Sequence, residues 1–584
     1  MTDSLLPVQP LPSGRSAAAW RTLGSDALLV VAVLAFIASL IPAFHEWLGG
    51  LRTEVTIDLS PWALPGYAVL SFWRGFLAYL LSLLFALVYG YWAAKHRISG
   101  SILIPLLDIM QSIPVLGFMP GLVIGLIALF PSTNLGLELS AIVMIFTGQV
   151  WNMVFSFHTS LTSLPTEQAE AAAVFRFTWF QRLRWVELPA ATPGLVWNSM
   201  MSMAGGWFFL MVSESFRLGD RDFRLPGLGS YMSQALDAGN WPAIMYGILA
   251  MIGLIVVLDQ LLWRPAVVWS ERFQVDETAR TEVGRSWMLD LLGNSRLLGW
   301  IGSRSARLAS PPPWYLGSMA APVRTPWWAL PLAWTGLAAV LIGSVIGSWF
   351  LIALVIEVPL AASANPRISS WTAILHGTGL TSMRVVGTLL LGTLWALPAG
   401  LAIGGSPRWS RLLQPVVQIA ASFPAPMLFP LCLLVFATLG LPLGVGAMLL
   451  MLLGAQWYIL FNVIAGAQAI PGEMRDVAVT FRLGWWLRFT RLELPAVFPS
   501  LVTGWVTAAG GAWNASIVAE FITWRRQVYS VDGLGSIISR SAEQADYPAL
   551  VAAIVTMAVV VVVVVNRLVW RPLRRLANER FTIT

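Results

Sequence analysis

The chain predicts an all-α polytopic membrane protein built from two homologous six-helix halves, with about twelve transmembrane helices in all. Three observations carry this. Of its 584 residues, 57% are hydrophobic and 11% charged, with a mean hydropathy of +0.72, whereas soluble domains carry about a quarter charged residues. Apolar runs of about 20 residues, the length that crosses a hydrocarbon core, recur along the whole chain. Finally, the chain repeats itself: LPTEQAEAAAVFRFTWFQRLRWVELP at 164–189 meets IPGEMRDVAVTFRLGWWLRFTRLELP at 470–495, residue for residue, at an offset of 306.

In chain order, a polar, Pro- and Ser-rich tail (1–26) precedes the first apolar run, which lacks a small-residue cleavage site and is expected to be retained. The first half (27–273) then offers spans near 27–46, 68–94, 101–130, 137–159, 191–215 and 241–263. A connector rich in charge, Gly, Ser and Pro (274–326) leads to the second half (327–584), with spans near 327–356, 376–402, 411–437, 441–466, 497–520 and 548–568. Each half closes alike, LLWRPAVVWSERF against LVWRPLRRLANERF. An even number of spans per half makes the two units parallel, related by an axis along the membrane normal. Placing the N-terminus inside puts the large majority of the 36 Lys and Arg on one side of the membrane, together with both repeated stretches. By the positive-inside rule that side is the cytoplasm, and both termini are expected there.

The repeated stretches begin with a Pro, at Pro165 and Pro471, where a helix can start, and carry Glu167 and Glu473 in its first turn to oppose the helix dipole. A second Pro, Pro189 or Pro495, is expected to end the element. Between them, aromatic residues are interleaved with charge, which leaves apolar surface that a partner would cover. The same residues resemble the coupling loop of type I ABC importer permeases, whose pattern is Glu-Ala-Ala, a following Gly, and Leu-Pro at a fixed distance. Glu170, Ala171 and Ala172 with Leu188 and Pro189 match it, and Asp476 and Ala478 with Leu494 and Pro495 match more loosely. The Gly position holds Arg176 in the first copy and Arg482 in the second, a departure shared by both halves. The resemblance is nearest to single-chain duplicated permeases grouped with nitrate, sulfonate and other anion importers.

That resemblance implies a chain in the bacterial inner membrane that works with two cytoplasmic ATPase subunits and an extracytoplasmic solute-binding protein. It also implies that the chain carries a small anion inward and catalyses no chemistry itself. ATP and Mg would belong to the partner subunits. The residues agree on one point: a phosphate loop needs Gly-Lys-Ser/Thr, and the one lysine, Lys95, is followed by His96. The basic excess is spread over loops on one membrane face, which speaks for membrane topology rather than nucleic acid. The four His are scattered and Cys432 stands alone, so no metal or disulfide pattern arises. Two rivals stay open: a secondary transporter, which would need an intramembrane charged relay, and an intramembrane transferase, which would need clustered Asp, Glu and His at one membrane face.

Candidate pathway residues follow from polarity at membrane depth. The third span of each half carries Ser112 and Pro114, or Ser422 and Pro424, where a broken helix would expose backbone N–H groups suited to an anion. The fifth spans offer Asn198 and Ser202, Trp207, Trp513, Asn514 and Ser516, as pathway lining or as hydrogen-bonding glue between helices. Because Phe208 aligns with Asn514, the second half is expected to read the substrate. Glu214 and Glu520 end the fifth spans as an outer gate, as a contact for the binding protein, or as pins paired with a loop Arg.

Overall fold

The computed structural model describes residues 14–51, 55–95, 97–112, 115–218, 221–273, 286–293, 295, 349, 352–360, 370–524 and 527–581. Among them, nine helices are long and apolar enough to cross a membrane, and a further pair, Pro407–Ser422 with Ala425–Thr438, does so bent by 80°. The expected seventh span (327–356) and the connector (274–326) fall mostly outside the described residues. The expected third span of the first half is two helices, Arg97–Ser112 and Val115–Leu129. A bend with Pro424 at its centre is the broken helix that the paired prolines predict, since Pro supplies no N–H to the helical ladder.

Each half is organised on three long core helices. The first is Leu64–Lys95 or Trp371–Gly405, the second Leu135–Thr162 or Leu443–Gln468, and the third Leu188–Glu214 or Leu494–Ala519. Their close approach rests on small residues, as expected where lipid removes the hydrophobic drive for helix pairing. Gly90 of the first half and its equivalent Gly400 seat the side chains of Phe157 and Val463, and a Cβ on Gly404 would lie 2.6 Å from the Ile464 carbonyl oxygen. A peripheral helix, Gly14–Leu48, touches this core chiefly through Phe36 and Ser39, whose hydroxyl accepts from the Trp73 indole at 3.0 Å.

Two features depart from the expected pattern. Pro189 and Pro495 do not end a helix. In both halves a short helix (Trp179–Arg182 or Trp485–Arg488) widens into a π-helical turn (Leu183–Glu187 or Phe489–Glu493) and continues into the third core helix. The wider turn accommodates a residue that cannot donate and whose ring would press on the preceding turn. Two further π segments, Asp259–Trp263 and Val560–Trp570, stand in the same relation to Pro265 and Pro572. The all-helical expectation also omits two small antiparallel hairpins after the third core helices, Arg217–Leu218 with Arg221–Asp222 and Phe521–Trp524 with Gln527–Ser530.

The core helices run so that both repeated stretches share one end of the bundle, here the loop face, while Arg74, Glu138 and Glu214 share the far face. Gly404→Ala should cost about 1–3 kcal/mol through overpacking against backbone. Gly405→Ala, which meets nothing within 4 Å, should stay within about 0.5 kcal/mol. Thermal melts of the two purified variants in one detergent check the contrast.

Candidate functional site

At the loop face, Pro165 and Pro471 are the N-caps of Thr166–Val174 and Gly472–Thr480. Each helix closes with the same device. The N–H of Phe177 reaches the Ala172 carbonyl and that of Arg176 the Ala173 carbonyl, both at 3.0 Å, and Leu483 and Arg482 repeat this onto Ala478 and Val479. This double bond pattern is a Schellman cap, which needs a left-handed residue. Arg176 (φ 50°) and Arg482 (φ 48°) supply it. The Gly-type turn is thus kept with Arg in it, although the left-handed conformation costs a side-chain-bearing residue about 1–2 kcal/mol. Both guanidiniums are exposed and make no ion pair among the described residues.

The rest of each loop is tied down from beneath. Glu187, fully buried, accepts from Arg182 Nε at 2.7 Å and pairs with Lys95 at the end of the first core helix, while Trp179 sets its ring edge-to-face with Tyr91. In the second half Arg488 pairs with Glu493 at 2.7 Å, and Arg475 reaches the carbonyls of Ala467 (2.5 Å) and Gly405 (3.4 Å) in place of a lysine. Ala172 and Ala478 are buried, Leu188, Pro189, Leu494 and Pro495 half-buried, and Ala171, Glu167, Glu170, Glu473 and Asp476 exposed. Outermost are Phe175, Trp179 and Phe180 in one loop and Phe481, Trp485 and Trp486 in the other, all more than half exposed. Each half thus presents a knob of mixed charge tipped with aromatic side chains.

At the far face, Glu214 and Glu520 are buried pins, and their partners come from the first core helices rather than from loops. Arg74 holds Glu138 through Nε (2.6 Å) and Nη2 (2.7 Å), and reaches Glu214 (2.7 Å) and the Pro226 carbonyl (2.8 Å) through Nη1. Glu214 also accepts from the Ser71 hydroxyl (2.7 Å) and the Gly229 N–H (2.7 Å), at the start of Leu228–Asp237, where the helix dipole favours a carboxylate. Glu520 repeats this with Arg384 (2.7 Å), Thr381 (2.8 Å) and Gly535 N–H (2.9 Å). Both helix starts carry a Gly-Leu-Gly stretch, Gly227-Leu228-Gly229 and Gly533-Leu534-Gly535, and a Cβ on Gly227 or Gly533 would come within 2.4 or 2.2 Å of the carboxylate. The halves differ at one place. The position of Glu138 is taken by Gly444, whose Cβ would stand 3.6 Å from Arg384 Nη2, and Arg384 is 14% exposed where Arg74 is sealed.

Between the halves lie two adjoining central cavities of about 60 and 100 Å3. Asn514 lines both, accepting at 2.8 Å from the N–H of Val115, the first residue after the break in the first half, and donating to the Gly510 carbonyl at 3.1 Å. Trp513 lines the larger cavity, and Pro424 and Phe208 the smaller. Ser516 and Ser422 are buried with their hydroxyls on the Trp513 and Gln418 carbonyls, Asn198 donates to Gly194 O at 2.9 Å, and Trp207 packs on Gly75. Ser202 is buried, and its hydroxyl has no hydrogen-bond partner among the described residues. Pro114 and the side chain of Ser112 lie outside the described residues. Toward the far face a third cavity, of about 300 Å3, includes Asp237 and its equivalent Glu543. Arg74, Arg384 and Lys95 were not singled out by polarity alone, although Arg74 and Arg384 share the 310-residue offset of the third-span prolines.

Comparison with known proteins adds a family and several relatives. The family of "binding-protein-dependent transport system inner membrane component" matches twice, at 82–262 and 389–571. A nitrate import permease protein of Leptolyngbya laminosa is 29% identical over 140 residues, 24% of this chain and 49% of the relative. One from Synechococcus elongatus is 27% identical over 150 residues, 25% of this chain and 52% of the relative. An osmoprotectant import permease protein of Salmonella typhimurium is 26% identical over 196 residues, 34% of this chain and 86% of the relative. The chain spans about half the length of the nitrate relatives it matches.

Arg74→Met strands two buried carboxylates and should cost at least about 3–5 kcal/mol, the penalty for breaking a buried pair. Arg384→Met strands one beside solvent and should cost less. Thermal unfolding and the yield of monodisperse protein measure the order. Arg176→Gly with Arg482→Gly relieves two left-handed side chains and should leave the melting temperature unchanged or raised.

Proposed function

The chain belongs to the family of binding-protein-dependent transport system inner membrane components, and from that premise we propose that it is the duplicated, single-chain permease of an ABC importer, carrying a small anion into the cell. The observation that carries this reading is the pair of aromatic Schellman-capped knobs at one face of the bundle. Two equivalent docking surfaces suit two ATPase subunits, and the loop face is then cytoplasmic, with both termini on that side. An extracytoplasmic binding protein would deliver solute at the far face, where Glu214 and Glu520 stiffen the rim. The halves are units of 27–273 and 327–584 joined by the 274–326 linker, in place of a permease dimer.

ATP hydrolysis falls to the partners in this reading. The one lysine is committed to Glu187, which leaves no group for a phosphate loop, and ATP and Mg would be held by the ATPases. Their closure would press the two knobs together, and the rigid π-turn would pass that motion directly into the third core helices, which line the central cavities. Docking would be carried by Glu167, Glu170, Glu473, Asp476, Arg176 and Arg482 around the aromatic tips. The pathway would run between Asn514, Trp513, Phe208 and Pro424.

With the double variant Glu170→Arg, Asp476→Arg, the ATPase should no longer co-purify and ATP-dependent uptake should fall at least tenfold, while membrane insertion is retained. Full uptake by this variant, or uptake driven by an ion gradient without any ATPase, would contradict the proposal.

A further inference from the structure

The two halves pair their rim arginines differently, and the difference leaves donors open. In the first half the flat edge of Arg74, formed by Nε and Nη2, holds both oxygens of Glu138 at 2.6 and 2.7 Å, while Nη1 turns to Glu214 and the Pro226 carbonyl. In the second half Arg384 gives Nη1 to Glu520 in the same way, at 2.7 Å. Its Nε and Nη2 make no hydrogen bond or ion pair among the described residues. The carboxylate they would hold is missing, because offset 306 puts Gly444 at the place of Glu138.

The fork still faces that place. A Cβ on Gly444 would stand 3.6 Å from Nη2 and 3.8 Å from Nε, ordinary contact distances. The rest of the pin is retained, with Thr381 standing for Ser71 and Gly535 for Gly229. No other carboxylate takes the position of Glu138: Asp532, beside Gly533, is exposed and forms no ion pair among the described residues. Arg384 keeps 14% exposure where Arg74 has none, and Pro442, Leu443 and Val445 around Gly444 are exposed, so the fork can be reached from outside the bundle.

A guanidinium has five N–H donors and no acceptor, and Nε with Nη2 form an edge suited to an anion held by two parallel bonds. Donors fixed in a partly buried place without acceptors cost free energy, so an acceptor from solution gains by filling it. Arg74 is matched by two carboxylates and Arg384 by one. We infer that the second half binds a compact monoanion, chloride or an ion no larger than formate, on Nε and Nη2 of Arg384, in the place that Glu138 fills in the first half. The closeness of Gly444 to the fork sets the size limit. This anion is a resident of the rim and not the carried solute, since Arg384 is not among the residues lining the central cavities.

The test uses the full chain in maltoside micelles free of phosphate, with sodium gluconate exchanged for sodium chloride at constant ionic strength. Chloride should raise the melting temperature saturably, by about 2 °C or more, as a ligand of the folded state does. The chloride NMR line should broaden when protein is added, and formate should reverse the broadening. Gly444→Glu, which supplies the missing carboxylate, should melt at or above the parent in gluconate and lose both the chloride-induced rise and the formate-sensitive broadening. Arg384→Lys keeps a cation for Glu520 but has no fork, and should lose both effects as well. Absence of the chloride effects in the parent, or their full retention in either variant, would overturn the inference. So would a rise produced only by added phosphatidylglycerol, which would make the occupant a lipid phosphate.

Discussion

A charge sealed in a low-dielectric interior has to be paired, and that constraint organises both halves of this molecule. Glu214 and Glu520 are buried at the far face, and each is satisfied by an Arg from the first core helix, a hydroxyl one turn away and a backbone N–H from a glycine-flanked helix start. Because breaking such a pair leaves an uncompensated charge, three segments distant in sequence are locked into one rim. The rim holds one end of the third core helix, and the π-turn above Pro189 or Pro495 holds the other. A rod fixed at both ends can transmit a push at the loop face to the cavity at its middle.

Duplication produced two copies of this arrangement, and the copies have diverged where symmetry is not needed for folding. The pin lost one carboxylate between Glu138 and Gly444, and the anchor beneath the loop changed from Lys95 to Arg475. Asn514 caps the freed N–H at the first break, whereas its equivalent Phe208 lines the cavity beside the second, at Ala425. A dimer of identical subunits cannot make such changes, since each would appear twice. A fused chain can assign one wall to hydrogen bonding and the other to apolar packing.

Much of the frame was legible in the sequence, because burial in lipid demands long apolar runs and because the 306-residue offset exposes the repeat. Less legible was whatever depends on contact across distance. Glu214 stands near Arg217 and Arg221 in sequence, so a loop partner is the natural expectation, yet its Arg is 140 residues away. Pro189 reads as a stop because local rules take the α-helix as the default, whereas a π-turn absorbs it without ending the helix. Arg176 reads as a loss of the Gly turn, since propensity disfavours the left-handed region but does not forbid it when a cap supplies the hydrogen bonds. The second hairpin was not legible either, because at four residues a strand FITW and QVYS show no sustained alternation. Among the polar fifth-span residues, periodicity could not tell Asn514, which lines the cavities, from Ser516, whose hydroxyl turns back on its own helix.

In the proposed importer both knobs, and not one, would meet an ATPase on the same side of the membrane. Site-specific cross-linking tests it most directly. A Cys432→Ser background carrying either Arg176→Cys or Arg482→Cys would be treated with a short bifunctional reagent in membranes that also express the cognate ATPase. Each position should capture the ATPase, and the double variant should capture two copies per permease chain. Capture from one position alone, or labelling of both cysteines by an impermeant reagent added outside intact cells, would contradict it.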